Sequence, residues 1–247
     1  MNSKTIEACN FDVSSLAGLE GLTIHNIRKA ELGKLDGLAD LPLKSLELRW
    51  LSSPDLTPVP LPETLDSLTV WHSSKLKSVT GIERAQNLKE VYLRENGSPI
   101  DITGLSALGD LEHLIIDGGY GDGQKINDLA PLEGLPLTEL SLVNIKGDGL
   151  DFGAIARLSK VKKLNLSTLK VPPEELARIA KSKQWYMDQL MDLPQANASY
   201  AKPCKKCGDL PHELFLKGKK WHWCLTCQKP KVEEHLEGFR RLVAAVQ

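Results

Sequence analysis

Leu43-Lys-Ser-Leu46-Glu-Leu48-Arg-Trp-Leu51 sets two apolar residues one position apart, with another apolar residue three before and a third three after. The same pattern appears earlier, as Leu19-x-x-Leu22-x-Ile24-x-x-Ile27. It returns as Leu65-x-x-Leu68-x-Val70-x-x-Ser73, Leu88-x-x-Val91-x-Leu93-x-x-Asn96 and Leu111-x-x-Leu114-x-Ile116-x-x-Gly119. Leu137-x-x-Leu140-x-Leu142-x-x-Ile145 and Val161-x-x-Leu164-x-Leu166-x-x-Leu169 complete the set. The second apolar position falls at 22, 46, 68, 91, 114, 140 and 164, in steps of 24, 22, 23, 23, 26 and 24 residues. One such run means little, because short apolar patterns are common in cores. Seven at near-constant spacing mean a repeated structural unit.

The chain resembles the leucine-rich repeat proteins over about residues 16–170. The resemblance implies an α/β repeat fold, a solenoid whose strands stack as a parallel concave sheet. The residues agree, since apolar-x-apolar alternation makes a short strand with one buried face. Pro54, Pro58, Pro60 and Pro62 favour turns, 3₁₀ segments and extended runs between strands over long helices. Phe152 to Leu158 is the exception, with room for two helical turns. The asparagine that the family places after the strand is present only as Asn96. Ile27, Leu51, Ser73, Gly119, Ile145 and Leu169 stand at the other equivalent positions. The Gly118–Gly123 run reads as a long loop, since it lacks the GxxxxGK[ST] order of a phosphate loop.

The ends of an array need covering. Residues 1–15 read as an N-terminal cap, with Ile6, Phe11 and Val13 extending the sheet by an irregular strand and Cys9 as a small buried residue. Residues 171–193 read as a C-terminal helical cap. Pro173 suits a first helical turn, Glu174 and Glu175 its positive end, and Leu176, Ile179 and Ala180 face the last repeat. The organisation is then 1–193 repeats with caps, 194–203 a polar linker, and 204–247 a separate unit.

That last unit carries Cys204-Lys-Lys-Cys207-Gly208 and Cys224-Leu-Thr-Cys227, with 16 residues between the pairs. This is zinc-ribbon or knuckle spacing. Four thiolates close a tetrahedral Zn²⁺ shell, which is structural and leaves no open position for catalysis. A redox dithiol needs only one pair, and a rubredoxin-like iron site shares the ligands. His212 and His222 lie between the pairs and can replace a cysteine. Leu214 to Trp223 reads as a hairpin turning at Gly218, with Trp221 and Trp223 on one face. Val232, Leu236, Phe239, Val243 and Val246 form one stripe of an amphipathic helix, packed on the ribbon or the array, or free for a partner.

Net charge is -1, unevenly spread. Residues 200–247 hold ten Lys and Arg against five Asp and Glu, and residues 1–199 hold 21 against 27. Lys202, Lys205, Lys206, Lys217, Lys219 and Lys220, with Trp221 and Trp223, are candidates for nucleic-acid contact. Zinc and four thiolates reduce the tail's charge to about +3, a weak field. No signal peptide or membrane span is evident, and four of the five cysteines fall in CxxC pairs. A cytoplasmic protein is expected.

The positions that the leucines leave free face outward on the concave side. Repeats two to five fill them with Glu47, Arg49, Trp50, Trp71, His72, Tyr92, Arg94 and Asp117. Arg49, Trp71, Tyr92 and Asp117 are expected to form a transverse row. Trp, Tyr and Arg are the side chains most enriched at binding hot spots. A non-enzymatic, protein-binding concave face follows, with a bacterial immunity or antitoxin-type inhibitor as its concrete version. The alternative is an adaptor whose ribbon contacts DNA or RNA. His25, His72 and His113 come without a nucleophile motif. The tail is too short for a ligase domain, and its four cysteines are too few for a two-zinc RING.

Overall fold

The seven repeats supply seven strands and the N-terminus adds one more. The computed structural model describes residues 2–119, 123–146, 149–166, 171–192, 201–214 and 221–246. The strands of the main sheet are β1 (Ser3–Glu7), β2 (Gly21–His25), β3 (Ser45–Arg49), β4 (Ser67–Trp71), β5 (Glu90–Arg94), β6 (His113–Asp117), β8 (Glu139–Val143) and β10 (Lys163–Asn165). All pair in parallel and in chain order. Two short strands, β7 (Gln124–Lys125) and β9 (Ile145–Lys146), pair separately.

β3 to β6 each bury their two pattern residues and leave the alternate ones partly or fully exposed. In β3, Leu46 and Leu48 are buried while Ser45, Glu47 and Arg49 are half-buried. Burying one such leucine is worth about 2 kcal/mol, and each repeat adds further buried Leu, Ile or Val from its returning segment. Those segments are 3₁₀ turns: Val13–Leu16, Leu32–Leu35, Leu38–Asp40, Ile82–Arg84, Thr103–Ala107 and Ala130–Leu132. In repeat seven the turn lengthens into α1 (Gly153–Arg157), as the sequence led one to expect.

A second periodicity starts these segments. Side-chain oxygens of Asp12, Asp55, Ser78, Asp101, Asp128 and Asp151 each accept from the backbone N–H two residues on, at 2.8–3.1 Å. These local bonds favour a tight turn over a continued strand. At Asp101 the hydroxyl and N–H of Thr103 hold the carboxyl below its usual range.

The asparagine ladder is partial, with serine extending it. Asn96 donates to the Val70 carbonyl and accepts from the Ser73 N–H, at 2.9 and 3.1 Å. The Ser73 hydroxyl accepts in turn from the Leu51 N–H at 3.0 Å. Neighbouring turns are thereby tied across two repeats.

The N-terminal expectations need correction. β1 is a regular strand paired along its whole length with β2. It contains Ile6 but neither Phe11 nor Val13, which lie in the following turns. Cys9 is exposed, because its neighbour Ala8 takes the buried position.

At the other end, α2 (Pro173–Ser182) and α3 (Gln184–Met191) cover the last repeat. Leu176, Ala177, Ile179 and Ala180 are buried, and α2 packs against α1 on one side. Lys183 is buried too, and donates to the carbonyls of Ala156 and Leu158 at the end of α1. Its desolvation lowers the ammonium pKa. The other side of α2 takes α4 (Leu225–Ala245). There Val232 and Phe239 are buried, and Leu236, Leu242, Val243 and Val246 pack on the array's core. The apolar stripe read from the sequence thus closes on the cap. No helix among the described residues is long and apolar enough to cross a membrane. Leu169, Leu193, most of the linker and the glycine-loop residues 120–122 lie outside the described residues.

Gly81 makes the repeat stacking sensitive to one methyl group. Its φ is +100°, and an added Cβ would stand 2.6 Å from Leu56 C and Thr57 N. Gly81→Ala is expected to cost roughly 2–4 kcal/mol, read as a lower urea midpoint with an unchanged slope.

Candidate functional sites

The concave face is organised in transverse rows set by the strand register. One row pairs Arg49 with Trp71, Trp71 with Arg94 and Arg94 with Asp117. A second pairs Glu47, Thr69, Tyr92 and Ile115. Tyr92 therefore stands one row away from Trp71, and Arg94 takes the place expected for it. The reason is arithmetic: Arg49, Trp71, Arg94 and Asp117 each lie three residues past the second apolar position, whereas Tyr92 lies one past.

The corrected row has a definite geometry. The guanidinium carbons of Arg49 and Arg94 sit 4.5 and 5.2 Å from the centre of the Trp71 indole. Each arginine is also anchored to an acid, Arg49 to Glu47 at 2.7 Å and Arg94 to Asp117 at 3.6 Å. Asp117 is itself fixed by the N–H of Gly119 at 2.8 Å. The two arginines are thus held in one arrangement against the indole face. The Trp71 Nε1 atom is buried without a hydrogen-bond partner.

Beside this row runs a rim that the sequence reading did not foresee. The residue after five of the strands adopts a left-handed conformation: Asn26, Trp50, His72, Glu95 and Asn144 have φ between 49° and 55°. Their N–H groups continue the ladder, Trp50 donating to Trp71, His72 to Arg94 and Glu95 to Asp117, at 2.7–3.0 Å. The turn geometry imposes this conformation in repeats one to four and six. Asparagine tolerates it, and other non-glycine residues pay about 1–2 kcal/mol. Repeats two, three and four nevertheless carry Trp, His and Glu there. Trp50 is 44% exposed. Its ring lies parallel to His72 at 6.0 Å and edge-on to His25 at 5.4 Å. His72 stacks on Trp71 at 4.7 Å and its Nδ1 lies 2.8 Å from Glu95. The eight sequence-selected residues, Glu47, Arg49, Trp50, Trp71, His72, Tyr92, Arg94 and Asp117, therefore occupy adjoining positions on the sheet and its rim.

The second site is the cysteine cluster. The sulfurs of Cys204, Cys207, Cys224 and Cys227 all lie within 4.8 Å of one another. A tetrahedral zinc with bonds of about 2.3 Å requires sulfur separations of about 3.8 Å, so the donor set fits. The first pair is a tight turn. Gly208 has φ +82° and donates to the Cys204 carbonyl, while the Cys204 N–H reaches Asp209. The second pair starts a helix: Cys224 is the N-cap of α4, and its sulfur accepts from the Cys227 N–H at 3.4 Å. Asp209 joins the two, accepting from the Thr226 hydroxyl at 2.6 Å.

Ionisation is divided unevenly among the thiols. The N–H groups of Lys206 and Cys207 bring Cys204 down to about 6. The Asp209 N–H favours a thiolate at Cys207, but hydrogen bonding with Cys224 and burial outweigh it and push that thiol up. A divalent cation removes the conflict by neutralising the cluster. The hairpin holds as β11 (His212–Leu214) against antiparallel β12 (Trp221–Trp223), and Trp223 meets His235 of α4 at 5.1 Å. Lys217, Gly218, Lys219, Lys220 and the Trp221 side chain lie outside the described residues.

No protein-family model matches the chain, and no curated protein sequence does. Solved structures do. An internalin (inlF) from Listeria monocytogenes str. 4b F2365 superposes with a TM-score of 0.50 at 21% identity. The match covers 73% of this chain and 52% of that one. The fold is a leucine-rich repeat solenoid. TLR13, solved in a complex with ssRNA13, aligns at a TM-score of 0.45 and 17% identity, over 69% of this chain and 30% of that one. The solenoid chain thus spans about half the length of the internalin and less than a third of TLR13.

The cysteine cluster and the solenoid cap share α4, so a metal held by the cluster would be linked to the cap. Pro230 sits inside α4 and removes one helical hydrogen bond near its start. The purified chain is expected to hold one zinc, and Cys224→Ser to lose it. Chelation should raise amide exchange across 173–182 while leaving β4 to β6 protected. Unchanged exchange in α2 after complete zinc removal would refute the link. Affinity should fall as pH drops, because protons compete for the thiolates.

Proposed function

We propose that the chain is a non-enzymatic binding protein that captures a protein partner on its concave face. The carrying observation is the strained rim. Asn26 and Asn144 show which residue suits the left-handed position, yet the middle repeats place Trp50, His72 and Glu95 there. Strain retained beside a preorganised Arg–Trp–Arg row is the mark of a surface kept for binding. His72 and His113 face carboxylates, at 2.8 and 3.4 Å, which gives neither a nucleophile to activate.

On this reading residues 1–193 are the capture surface and 204–247 a zinc-stabilised module whose helix holds the cap. Zinc supplies on the order of 10 kcal/mol in small sites of this kind. The thiol-rich site and the exposed Cys9 suit a reducing compartment, so the proposed location is the cytoplasm. The narrower reading, an immunity or antitoxin-type inhibitor that covers a toxin, rests on architecture by analogy. The nucleic-acid alternative draws on exposed Lys202, Lys205 and Lys206 beside the first cysteine pair. A salt-dependent gel shift by the full chain, lost when these three are changed to Ser, would favour it.

Partner capture from the native cell by the parent chain and by Trp71→Ala and Arg94→Ala variants tests the main reading. Each variant is expected to lose about tenfold or more in affinity for the captured partner. Equal capture by all three chains would refute it. Trp50→Asn separates binding from folding, because it should weaken capture without lowering the unfolding midpoint.

A further inference from the structure

The charges on the concave face do not balance. Glu7, Glu47, Glu90, Glu95, Asp117 and Glu139 stand on the outward strand positions and the rim, against Arg49, Arg94 and Lys163. Both arginines are already committed, to Glu47 and Asp117 respectively and jointly to the Trp71 ring. Glu90 has His113 at 3.4 Å and the Tyr92 hydroxyl at 3.3 Å as neighbours, and Glu95 has His72. Lys163, which meets Glu139 at 3.2 Å, lies at the far edge strand with its side chain 76% exposed.

Two of these acids share a row in the C-terminal half of the sheet. Glu90, His113, Glu139 and Lys163 occupy one transverse row on β5, β6, β8 and β10, with Lys163 at its open end. Tyr92 lies beside that row, and its hydroxyl is harder to ionise than usual. Burial is the main cause, followed by the charge and hydrogen bond of Glu90 and then the charge of Glu139. The fields of two carboxylates on different strands therefore overlap at one aromatic side chain. A concave surface over an apolar core focuses such a field. Aromatic faces beside carboxylates attract cations and disfavour phosphates.

We infer that the partner docked on this face is a cationic protein segment, with Lys or Arg side chains along the Glu90–Glu139 row and an apolar side chain against Trp50. The inference rests on the concave-face reading and narrows it to a partner chemistry. A nucleic acid would bring phosphates onto the same carboxylates. An extended segment of about ten residues, at about 3.3 Å each, is long enough to cross all eight strands from β1 to β10 at about 4.8 Å apiece.

Fluorescence anisotropy on the full, zinc-loaded chain tests this with three labelled probes: a Lys–Ser repeat peptide of about ten residues, its Glu–Ser counterpart and an oligothymidylate. The Lys–Ser peptide is expected to bind and the other two are not. Glu90→Gln with Glu139→Gln should weaken the Lys–Ser peptide about fivefold. Glu63→Gln with Asp110→Asn, which removes two exposed acids elsewhere, should leave it unchanged. Equal loss in both double variants would reduce the effect to overall charge and overturn the proposal. So would binding of the Glu–Ser peptide or the oligothymidylate at the concave row. If Trp71→Ala and Arg94→Ala lose the captured partner while Lys–Ser binds no better than Glu–Ser, the docking face stands and the cationic partner falls.

Discussion

In-register stacking of parallel strands governs this molecule. Each repeat buries its two alternating apolar residues, and the next repeat sets its own pair beside them at a spacing of about 4.8 Å. Because the side-chain period is two, the intervening residues are committed to the opposite face together. Every free position thereby acquires neighbours at the same position in adjacent repeats. The Arg49–Trp71–Arg94–Asp117 row is a product of that rule, and so is the rim of left-handed residues. The same rule limits what can stand next to what, since like charges at equivalent positions would sit one strand apart.

The ends of the stack determine how it terminates. At the start β1 extends the sheet by one strand whose outer edge is open and exposed. At the finish α2 lies between α1 and α4, so the cap is two helices deep. The outer layer is tied to the cysteine cluster, which lacks the apolar bulk to fold by burial alone. The cysteine cluster and the end of the repeat stack thus meet in one helix, with Phe239 and Val232 as its apolar contacts and Cys224 at its start.

Much of this was legible in the sequence. The leucine spacing gave the strands and their order, because strand alternation is a local property that repeats wherever the residues do. The four cysteines were legible because tetrahedral ligation demands few spacings. The stripe of α4 was legible as a stripe, but its partner was not, since an apolar face does not say what it meets. The Asp and Ser caps at 12, 55, 78, 101, 128 and 151 were also present in the sequence and were missed. Their period was visible, yet single polar residues carry little pattern until the bond they make is known.

The sequence by itself determined the scaffold, the four cysteines of the cluster and the list of side chains on the concave face. Tertiary structure decided their company. It put Arg94 instead of Tyr92 beside Trp71, placed Trp50 in a left-handed turn on the rim, left Cys9 exposed and laid α4 on the cap. The physical reason is one of range. Periodicity is fixed by backbone geometry within a few residues, whereas these outcomes depend on register between strands and on which distant surfaces bury each other.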